Sequence, residues 1–342
     1  MLQPSIHGFL RATCLLTIIA CGGCAAGPAA DIAPDYVPAE VQIGSERAVV
    51  SEGRIDTTNR YMSTVMVTTA FSDPKQGTRV KTCSGVLIEA HAVLTAGHCV
   101  CDVRRPVPPE ANDAAVTDPS TCAKTTNITL LRYQPPEETA LQTPVGGSLI
   151  PPAVNIGPYR GTVQVHEDLR ILYKELETST GLEMNTEYSN ADIAVILLEE
   201  PLRGYTRPIK LAEEPVRLKE RLLLVGYGAA LLGQSLDTPV RRYGENTVVS
   251  IKEDGSTFHL GTQLEIAPSY RGEKPRVNRL RGSYSTSGDS GGPCFRERKG
   301  ALELVGIAKS THGPPVVLSV YTSTHAYLRW LRQKIGSAGR TD

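Results

Sequence analysis

The sequence predicts an all-β protein, built as an antiparallel sandwich or barrel and closed by one C-terminal helix. From about residue 60 onward, short segments rich in β-branched residues recur, and glycine, proline, asparagine or charged residues bound each of them. Many short strands at irregular spacing are typical of sandwiches and barrels. Only the C-terminal part of the chain breaks this pattern with a helical periodicity.

The clearest strand pattern occurs in five segments, namely 65–67, 84–88, 193–198, 222–225 and 316–320. In residues 326–335, Tyr327, Trp330 and Leu331 recur at positions i, i+3 and i+4. This spacing places three large apolar side chains on one face of a helix. We therefore expect the helix to pack that face against the strands.

Residues 101–160 differ from the rest of the chain because they hold ten of its 24 prolines. Proline cannot donate a hydrogen bond to a strand ladder, which limits regular sheet in such a region. The sequence therefore predicts long surface excursions there, around one strand at 127–133.

Composition excludes several classes of function. The 342 residues suffice for one large or two ordinary domains, and 36 basic residues balance 36 acidic ones, so no net charge attracts the chain to nucleic acid. Four Phe and one Trp provide no base-stacking platform. The chain has no Gly-rich phosphate loop, and His98, Cys99 and Cys101 lack the usual zinc-ligand spacing. No metal and no cofactor are expected.

The first twenty residues are typical of a secretory signal. Arg11 precedes the short apolar run 14–20, which is far too short to cross a bilayer. Residues 18–21, Ile-Ile-Ala-Cys, resemble a bacterial lipobox and predict a signal peptide at 1–20, lipidation of Cys21 and a tether at 21–48. The protein would then be a periplasmic or cell-surface lipoprotein attached to the membrane. An ordinary signal peptide cut near Ala26 or Ala30, which gives a secreted protein, is the alternative.

Three short strings carry side chains suited to nucleophilic catalysis. They are 94–99 (Leu-Thr-Ala-Gly-His-Cys), 190–198 with Asp192 near its start, and 287–293 (Ser-Gly-Asp-Ser-Gly-Gly-Pro). A serine needs an adjacent base, a histidine can be that base at neutral pH, and a buried carboxylate can fix the histidine tautomer. Glycines next to a serine let the backbone turn sharply and aim N–H groups at a developing oxyanion.

His98, Asp192 and Ser290, in this order and in these strings, resemble the chymotrypsin/trypsin-type serine proteases. Supporting matches lie at 207–211, 225–228, 304–307, 320–322 and 327–330. The resemblance runs from about residue 60 to 335. It implies two antiparallel six-stranded β-barrels with a C-terminal helix, in a protease domain at 49–337 that carries insertions within 101–160.

The resemblance also implies a role for each residue. Ser290 would be the nucleophile, His98 the general base, and Asp192 would orient His98. The N–H groups of Gly288 and Ser290 would form the oxyanion hole. The expected activity is that of an exported serine endopeptidase acting on protein or peptide substrates through an acyl-enzyme, with no prediction of oligomeric state.

The cysteines fit the same interpretation. An exported chain reaches an oxidising compartment, where disulfides persist. Cys83 and Cys99 match the disulfide that the family places around its histidine loop. Cys101 and Cys122 enclose an excursion and are the best remaining pair, and Cys294 is expected as a free buried thiol.

The first departure from the family is the length of chain between His98 and Asp192. They lie 94 residues apart, more than the family usually needs, so we expect the extra loops to border the cleft on the first-barrel side.

The second departure concerns activation of the site. Family members commonly pair the Asp before the nucleophile, here Asp289, with an amino group freed before Ile-Val-Gly-Gly. No such string precedes Cys83, and Arg54 is the one tempting cleavage site. An atypical N-terminus, another cation beside Asp289, or a site ordered only with help all remain open.

A third departure concerns the substrate pocket. The family's pocket-base position holds Tyr284 rather than an acid, and Thr286 replaces a cysteine. Lys-Ser-Thr at 309–311 replaces the familiar Ser-Trp-Gly and brings Thr311 to the pocket, while Ser319 stands where an open pocket usually has glycine. These changes argue against cleavage after Lys or Arg, and a small or apolar residue at P1 is expected.

Two other functions compete with the endopeptidase. Residues 288–292 also satisfy the G-x-S-x-G pattern of α/β-hydrolase esterases, but that fold requires an acid and then a histidine after the serine. The strand-rich pattern and the remaining length fit it poorly. A catalytically inactive protease-like binding or regulatory module is the second alternative, because the activation segment and the pocket are both altered.

Overall fold

The computed structural model describes residues 41–42, 54–73, 77–104, 115–134, 152–178, 181–229, 240–261, 263–267, 276–312 and 317–338. The predicted signal peptide, Cys21 and almost all of the tether lie outside the described residues. Among the described residues, neither helix is long and apolar enough to cross a lipid bilayer.

The described residues form strands that we number in chain order, with two α-helices. The strands are β1 (Val41–Gln42), β2 (Arg54–Ile55), β3 (Thr64–Asp73), β4 (Gly77–Glu89), β5 (Ala92–Thr95), β6 (Ala115–Thr117), β7 (Thr125–Tyr133), β8 (Ala153–Val165), β9 (Arg170–Thr178), β10 (Gly181–Asn190), β11 (Ala194–Leu198), β12 (Lys210–Leu211), β13 (Arg221–Gly226), β14 (Arg242–Ile251), β15 (Thr257–Gly261), β16 (Gln263–Ala267), β17 (Arg276–Arg281), β18 (Pro293–Arg298), β19 (Ala301–His312) and β20 (Leu318–Ser323). The helices are α1 (Gly97–Val100) and α2 (Leu328–Ala338).

Six antiparallel strands close the first barrel in the order β11-β5-β4-β3-β7-β8. The ring closes because β11 pairs with β5 on one side and with β8 on the other. The segments 92–95, 194–198 and the second half of β4 are rich in Val, Ile and Leu and turn almost all of their side chains into a shared core, whereas β8 lies mostly outside it. The barrel thus holds the start of β11 and the end of β5 side by side.

Six further strands close the second barrel in the order β19-β18-β13-β14-β15-β20, and pairing of β20 with β19 completes the ring. β12 adds in parallel to β19, and β2 adds to β14. The predicted pair of antiparallel six-stranded barrels is confirmed. The α/β-hydrolase alternative is wrong, because that fold is built on a mostly parallel sheet and these barrel pairings are antiparallel.

Helix α2 docks on the first barrel through the predicted apolar face. Trp330 and Leu331 are buried in the same core as the first-barrel strands, and Tyr327 packs against it. The indole Nε1 of Trp330 donates to the Glu167 carboxylate at 3.1 Å. The helix begins two residues later and ends three residues later than the periodic segment predicted, as is common for helix ends.

The proline-rich region contains more sheet than the sequence predicted. Besides β7, it holds β6 and most of the 13-residue strand β8. Pro158 fits within β8 because residues 153–160 pair only with β7, so this part of β8 is an edge, and the register shifts beside it. Residues 105–114 and 135–151 of this region lie outside the described residues.

A buried ion pair ties the segment before the first barrel to the second barrel. Arg241 Nε donates to Asp56 Oδ2 at 2.8 Å, and neither side chain is exposed. The Arg241 guanidinium also donates to the Leu131 carbonyl and to Tyr227 Oη, and Asp56 accepts from the Tyr61 N–H. Every charge in the pair is therefore satisfied by several partners, as burial of charge requires.

We predict that Arg241→Met lowers the free energy of unfolding by about 3–5 kcal/mol, because it leaves the Asp56 carboxylate buried without its cation. Arg332→Met is the matched control, since Arg332 pairs with Glu213 at the exposed surface and its loss should cost under about 1 kcal/mol. Urea unfolding of both variants measures the difference. Equal destabilisation by the two substitutions would contradict the role assigned to the buried pair.

Candidate active site

The turn that carries His98 is fixed by strand β5 before it and by disulfides on either side. His98 lies in the short helix α1, directly after β5. Cys99 is bonded to Cys83 of β4, and Cys101 is bonded to Cys122. These are the two pairs proposed from the sequence, and Cys294 is a free buried thiol. The cross-links limit how far the His98 turn can move from β4.

His98 binds Asp192 at two points. The His98 backbone N–H donates to Asp192 Oδ1 at 2.8 Å, and the His98 ring Nδ1 lies 2.8 Å from Asp192 Oδ2. Asp192 is 1% exposed and directly precedes the buried stretch that enters β11. Gly97 makes this approach possible, because a Cβ there would lie 2.8 Å from Leu169 and 3.2 Å from the Asp192 carboxylate.

The Asp192 carboxyl is held ionised in spite of its burial. Burial by itself raises the pKa of a carboxyl, but the charge of His98, its two hydrogen bonds and the charge of Lys309 together lower the pKa of Asp192 below its ordinary value. A buried carboxylate bonded to Nδ1 leaves Nε2 of the ring as the proton acceptor. The pair therefore has the arrangement of a general base and its orienting acid.

The loop that carries Ser290 is bound to the first barrel by Ser84. The Ser84 N–H donates to the Ser290 carbonyl at 2.8 Å, and Ser84 Oγ donates to the Gly288 carbonyl at 2.8 Å. Gly291 adopts φ +77°, and a Cβ there would lie 2.1 Å from Thr95 Oγ1 and 2.9 Å from the Ala96 nitrogen. Ser290 is thus brought beside the turn that holds His98.

Two backbone N–H groups in the loop that carries Ser290 are unengaged. Within the described residues, neither the Gly288 nor the Ser290 N–H donates to an acceptor. Buried backbone donors are nearly always paired, so two free donors on one tight loop are suited to receive a substrate oxygen. Ser290 Oγ likewise makes no hydrogen bond to a described residue, His98 included. Nucleophile-to-base hydrogen bonds are often long in free enzymes and shorten in the substrate complex.

The Asp289 carboxylate, directly before Ser290, accepts hydrogen bonds from neighbouring groups. It accepts from the Gly228 N–H at 2.7 Å, from the Thr286 N–H at 2.8 Å and from Thr286 Oγ1 at 3.2 Å. Burial raises the pKa of Asp289, while these hydrogen bonds and the charge of Arg242 act in the opposite direction. Thr286, which replaces the family's cysteine, thereby supplies two of the three donors.

A cleft of about 230 Å³ opens beside Ser290. It is lined by Ser285, Thr286, Ser287, Ser290, Ala308, Lys309, Ser310 and Thr311. The lining is rich in hydroxyl groups rather than apolar, although a small or apolar substrate residue was expected.

Of the three residues predicted for the substrate pocket, Thr311 lines this cleft. Its hydroxyl lies 2.8 Å from Ser285 Oγ and donates to the Ser285 carbonyl. Tyr284 is buried and lines a second cavity, of about 40 Å³, which also contains Asp289. Ser319 is fully buried and its hydroxyl accepts from the Ser285 N–H. Tyr284 and Ser319 are therefore not among the described residues that line the cleft.

The side chains of Cys83, His98 and Cys99 come within 4.8 Å of one another, a separation compatible with a shared metal ion. Both sulfurs, however, are joined in the Cys83–Cys99 disulfide. A metal needs thiolate ligands, which a disulfide does not offer. These three residues therefore do not form a metal site.

Two lysines near the triad were missed by the sequence analysis. Lys81 of β4 donates to the His98 carbonyl at 2.8 Å and to the Cys101 carbonyl at 2.9 Å, so it caps the exposed carbonyl end of α1. Lys309 of β19 lines the cleft and donates to the Ser189 carbonyl at 3.2 Å. Neither residue has a local sequence pattern, because its partners lie 17 to 120 positions away.

A family model for the trypsin-like peptidase domain matches residues 83–307. Among curated proteins, the chain is 32% identical over 95 residues to CLIP domain-containing serine protease B4 of Anopheles gambiae, an alignment that covers 27% of this chain and 25% of that protein. It is 24% identical over 271 residues to protease B10 of the same species, covering 76% of this chain and 63% of that protein. The chain thus spans less than two thirds of either relative.

Among solved structures, the chain is similar to the scabies mite inactivated protease paralogue S-I1. The TM-score is 0.45 and the sequence identity is 21%, and the match covers 84% of this chain and 100% of that one.

We predict that Lys81 makes the stability of the fold depend on pH in a definite direction. Burial, aided by the charge of Arg79 and opposed by that of Asp192, lowers the pKa of Lys81 from its ordinary 10.5 to about 8. Between these two values the unfolded chain binds more protons than the folded chain, so stability rises with pH. The difference in free energy of unfolding between wild type and Lys81→Met should therefore increase from pH 8 to pH 10, measured by urea unfolding. A difference that stays constant would contradict this.

Proposed function

The chain belongs to the trypsin-like peptidase family, and we propose that it is an exported serine endopeptidase that cleaves peptide bonds through an acyl-enzyme on Ser290. The observation that carries the proposal is the double hydrogen bond from His98 to the buried Asp192 carboxylate. The Ser84 contacts to the Ser290 loop add to it, since they join the nucleophile to the barrel that holds the base. This chemistry uses side chains and backbone N–H groups of the protein and requires no cofactor.

In the proposed mechanism, Ser290 Oγ attacks the substrate carbonyl and His98 Nε2 takes the serine proton. The Gly288 and Ser290 N–H groups bind the oxyanion of the tetrahedral intermediate. His98 then gives its proton to the leaving amine, and the C–N bond breaks to leave an ester on Ser290. His98 then takes a proton from a water molecule, which attacks the ester. As the ester bond breaks, His98 passes that proton to Ser290 Oγ and the acid product leaves. Asp192 stays ionised throughout and stabilises the imidazolium form of His98.

The geometry of the Ser290 loop supports a protease that is active without prior cleavage of its own chain. The Asp289 carboxylate already has three donors from Gly228 and Thr286, so the loop needs no additional amino group to hold its shape. The sequence left open an atypical N-terminus, another cation or a site ordered only with help; we propose instead a fourth arrangement, in which local neutral donors take the place of a freed N-terminus. Cleavage near Arg54 would then be dispensable.

The cleft favours a short substrate side chain at P1. The hydroxyls of Ser285 and Thr311, which both line the cleft, lie 2.8 Å apart, and the buried Ser319 hydroxyl holds the Ser285 backbone by accepting from its N–H. No carboxylate is among the described residues that line the cleft, so a Lys or Arg side chain would find no counter-ion there. We propose that cleavage after basic residues is disfavoured.

A second candidate is a catalytically inactive protease-like binding or regulatory module. The observation that favours it is that Ser290 Oγ makes no hydrogen bond to His98 among the described residues. A module of this kind would keep the barrels and the cleft but would have a serine of ordinary, weak nucleophilicity. Chemical reactivity of Ser290 separates the two functions.

We predict that a fluorophosphonate labels the folded protein once per chain at Ser290, detected by peptide mass spectrometry. Ser290→Ala and His98→Ala should abolish labelling, because they remove the nucleophile and its base. Their loss in kcat should be about a million-fold, and that of Asp192→Asn about ten-thousand-fold, as in other Ser-His-Asp hydrolases. Ser250→Ala, which changes an exposed serine of β14 outside the cleft lining, is the matched control and should label normally.

Absence of labelling in folded wild type would contradict the proposal and support the inactive module. If labelling appears only after limited proteolysis near Arg54, the protein is a zymogen and the role proposed for Asp289 is wrong. Labelling of uncut protein supports both the endopeptidase function and the role proposed for Asp289.

For localisation, we propose a lipoprotein anchored through Cys21, with the protease domain held outside the cytoplasm by the tether at 21–48. The proposal rests on the lipobox-like string at 18–21 and on the two disulfides, which are typical of exported proteins. Secretion after cleavage near Ala26 or Ala30 is the alternative.

We predict that the protein expressed with its own first twenty residues in a bacterial host partitions into membranes and begins at a diacylglyceryl-modified Cys21. Intact-protein mass after detergent extraction measures both features. Cys21→Ser should remove the lipid mass and release the protein from the membrane, whereas Cys24→Ser, three residues away, should change neither. A lipid-free chain that begins after Ala26 or Ala30 would contradict the anchor.

A further inference from the structure

The cleft beside Ser290 has an asymmetric charge. Of the described residues that line it, Lys309 is charged and no acidic residue is present. The remaining lining is mostly hydroxyl-bearing. A cleft with a single positive charge and no negative one attracts anionic groups and repels cations.

Lys309 is held at this position by the strand before Asp192. Its Nζ donates to the carbonyl of Ser189, at the end of β10, at 3.2 Å. The side chain is only partly exposed, so the ammonium cannot hydrate as fully as at the surface. An ammonium carries three donors, and the Ser189 carbonyl takes one of them among the described residues.

Among the described residues, no carboxylate oxygen lies within ion-pair distance of Lys309 Nζ. Burial lowers the pKa of Lys309, aided by the charge of Lys252 and opposed by the charges of Asp192 and Asp254. Both Asp192 oxygens already accept hydrogen bonds from His98. A second anion close to Lys309 would therefore be stabilised by a charge that the protein only partly balances.

Hydroxyl groups in the cleft can add hydrogen bonds to such an anion. Ser287 and Ser310 both line the cleft, and neither hydroxyl has a partner among the described residues. Hydroxyl donors bind carboxylate oxygens strongly, because charge-assisted hydrogen bonds are about twice as strong as neutral ones. The lining thus offers both a cation and neutral donors.

We propose that this cleft selects substrates with a carboxylate side chain, aspartate above all, on the residue before the cleaved bond, and that Lys309 determines this selection. The inference rests on the proposed endopeptidase function and names its substrate class. Aspartate is favoured over longer acids because the Ser285 and Thr311 hydroxyls, which both line the cleft, lie 2.8 Å apart and leave no room for a side chain between them.

The test compares four internally quenched peptides that differ only at that residue, which is Asp, Asn, Ala or Lys. Asn has the shape of Asp without the charge, so the Asp-to-Asn ratio in kcat/KM isolates the electrostatic contribution. We expect wild type to favour Asp over Asn by about tenfold, the ratio that one well-placed ion pair supplies. The Lys peptide should be the poorest substrate of the four.

Substitutions test whether Lys309 causes the preference for Asp over Asn. Lys309→Met should bring the Asp-to-Asn ratio close to one, and Lys309→Arg should keep it well above one. Lys210→Met removes one positive charge from the exposed strand β12, outside the cleft lining, and should leave the ratio unchanged. Ser310→Ala should lower the ratio partially and keeps the comparison informative if Lys309→Met folds poorly.

A binding measurement distinguishes failure of this inference from failure of the proposed function. Fluorescence anisotropy of the same peptides on Ser290→Ala protein measures selection without hydrolysis. Tighter binding of the Asp peptide with no cleavage by wild type would overturn the endopeptidase proposal but support the selection. Cleavage with equal rates for Asp and Asn, or a ratio unchanged in Lys309→Met, would overturn the selection and leave the endopeptidase intact.

Discussion

The site depends on one requirement, which is that the buried carboxylate of Asp192 must be satisfied. At 1% exposure it has little access to solvent, so its hydrogen bonds have to come from the protein. His98 supplies one with its backbone and one with its ring, which fixes both the path of the turn and the orientation of the imidazole. Thr322 of the second barrel also donates to the Asp192 carbonyl at 3.1 Å. Asp192 thus connects the two barrels at the point where His98 is held.

Ser84 has the complementary role for the Ser290 loop. Its backbone and side chain bind the two carbonyls on either side of Asp289, and its hydroxyl accepts from the Tyr227 N–H of the second barrel. The Ser290 loop is therefore aligned from the first barrel, while its own carboxylate at Asp289 is balanced within the second. Neither barrel could form the site alone, since His98 and Ser290 are carried by different barrels and are brought together by these contacts.

The sequence predicted the parts of this arrangement that depend on local pattern. The strings around His98, Asp192 and Ser290 were recognisable because sharp turns and buried strand ends restrict residue type over a few positions. The double barrel and the apolar face of α2 followed from the family resemblance and from helical periodicity. These features extend over short segments, which is why one sequence was sufficient to find them.

What the sequence did not predict involves residues far apart in the chain. Arg241 and Asp56 are 185 positions apart, and Lys309 is 120 positions from Ser189, so no local pattern marks either contact. Strand β8 was missed because Pro158 within it and the two prolines directly before it suggested a loop, whereas an edge position allows Pro158 to remain in the strand. The hydroxyl-rich cleft wall was also unexpected, because it forms only where the Ser290 loop meets β19.

The most direct test of the account is a pre-steady-state measurement with an activated ester of a short peptide. If Ser290 forms an acyl-enzyme in a site assembled around the His98–Asp192 pair, product should appear in a burst of one equivalent per chain, followed by slower turnover. The covalent intermediate should be visible by mass on Ser290 at early times. Folded protein that shows neither burst nor acylated Ser290 would contradict the account.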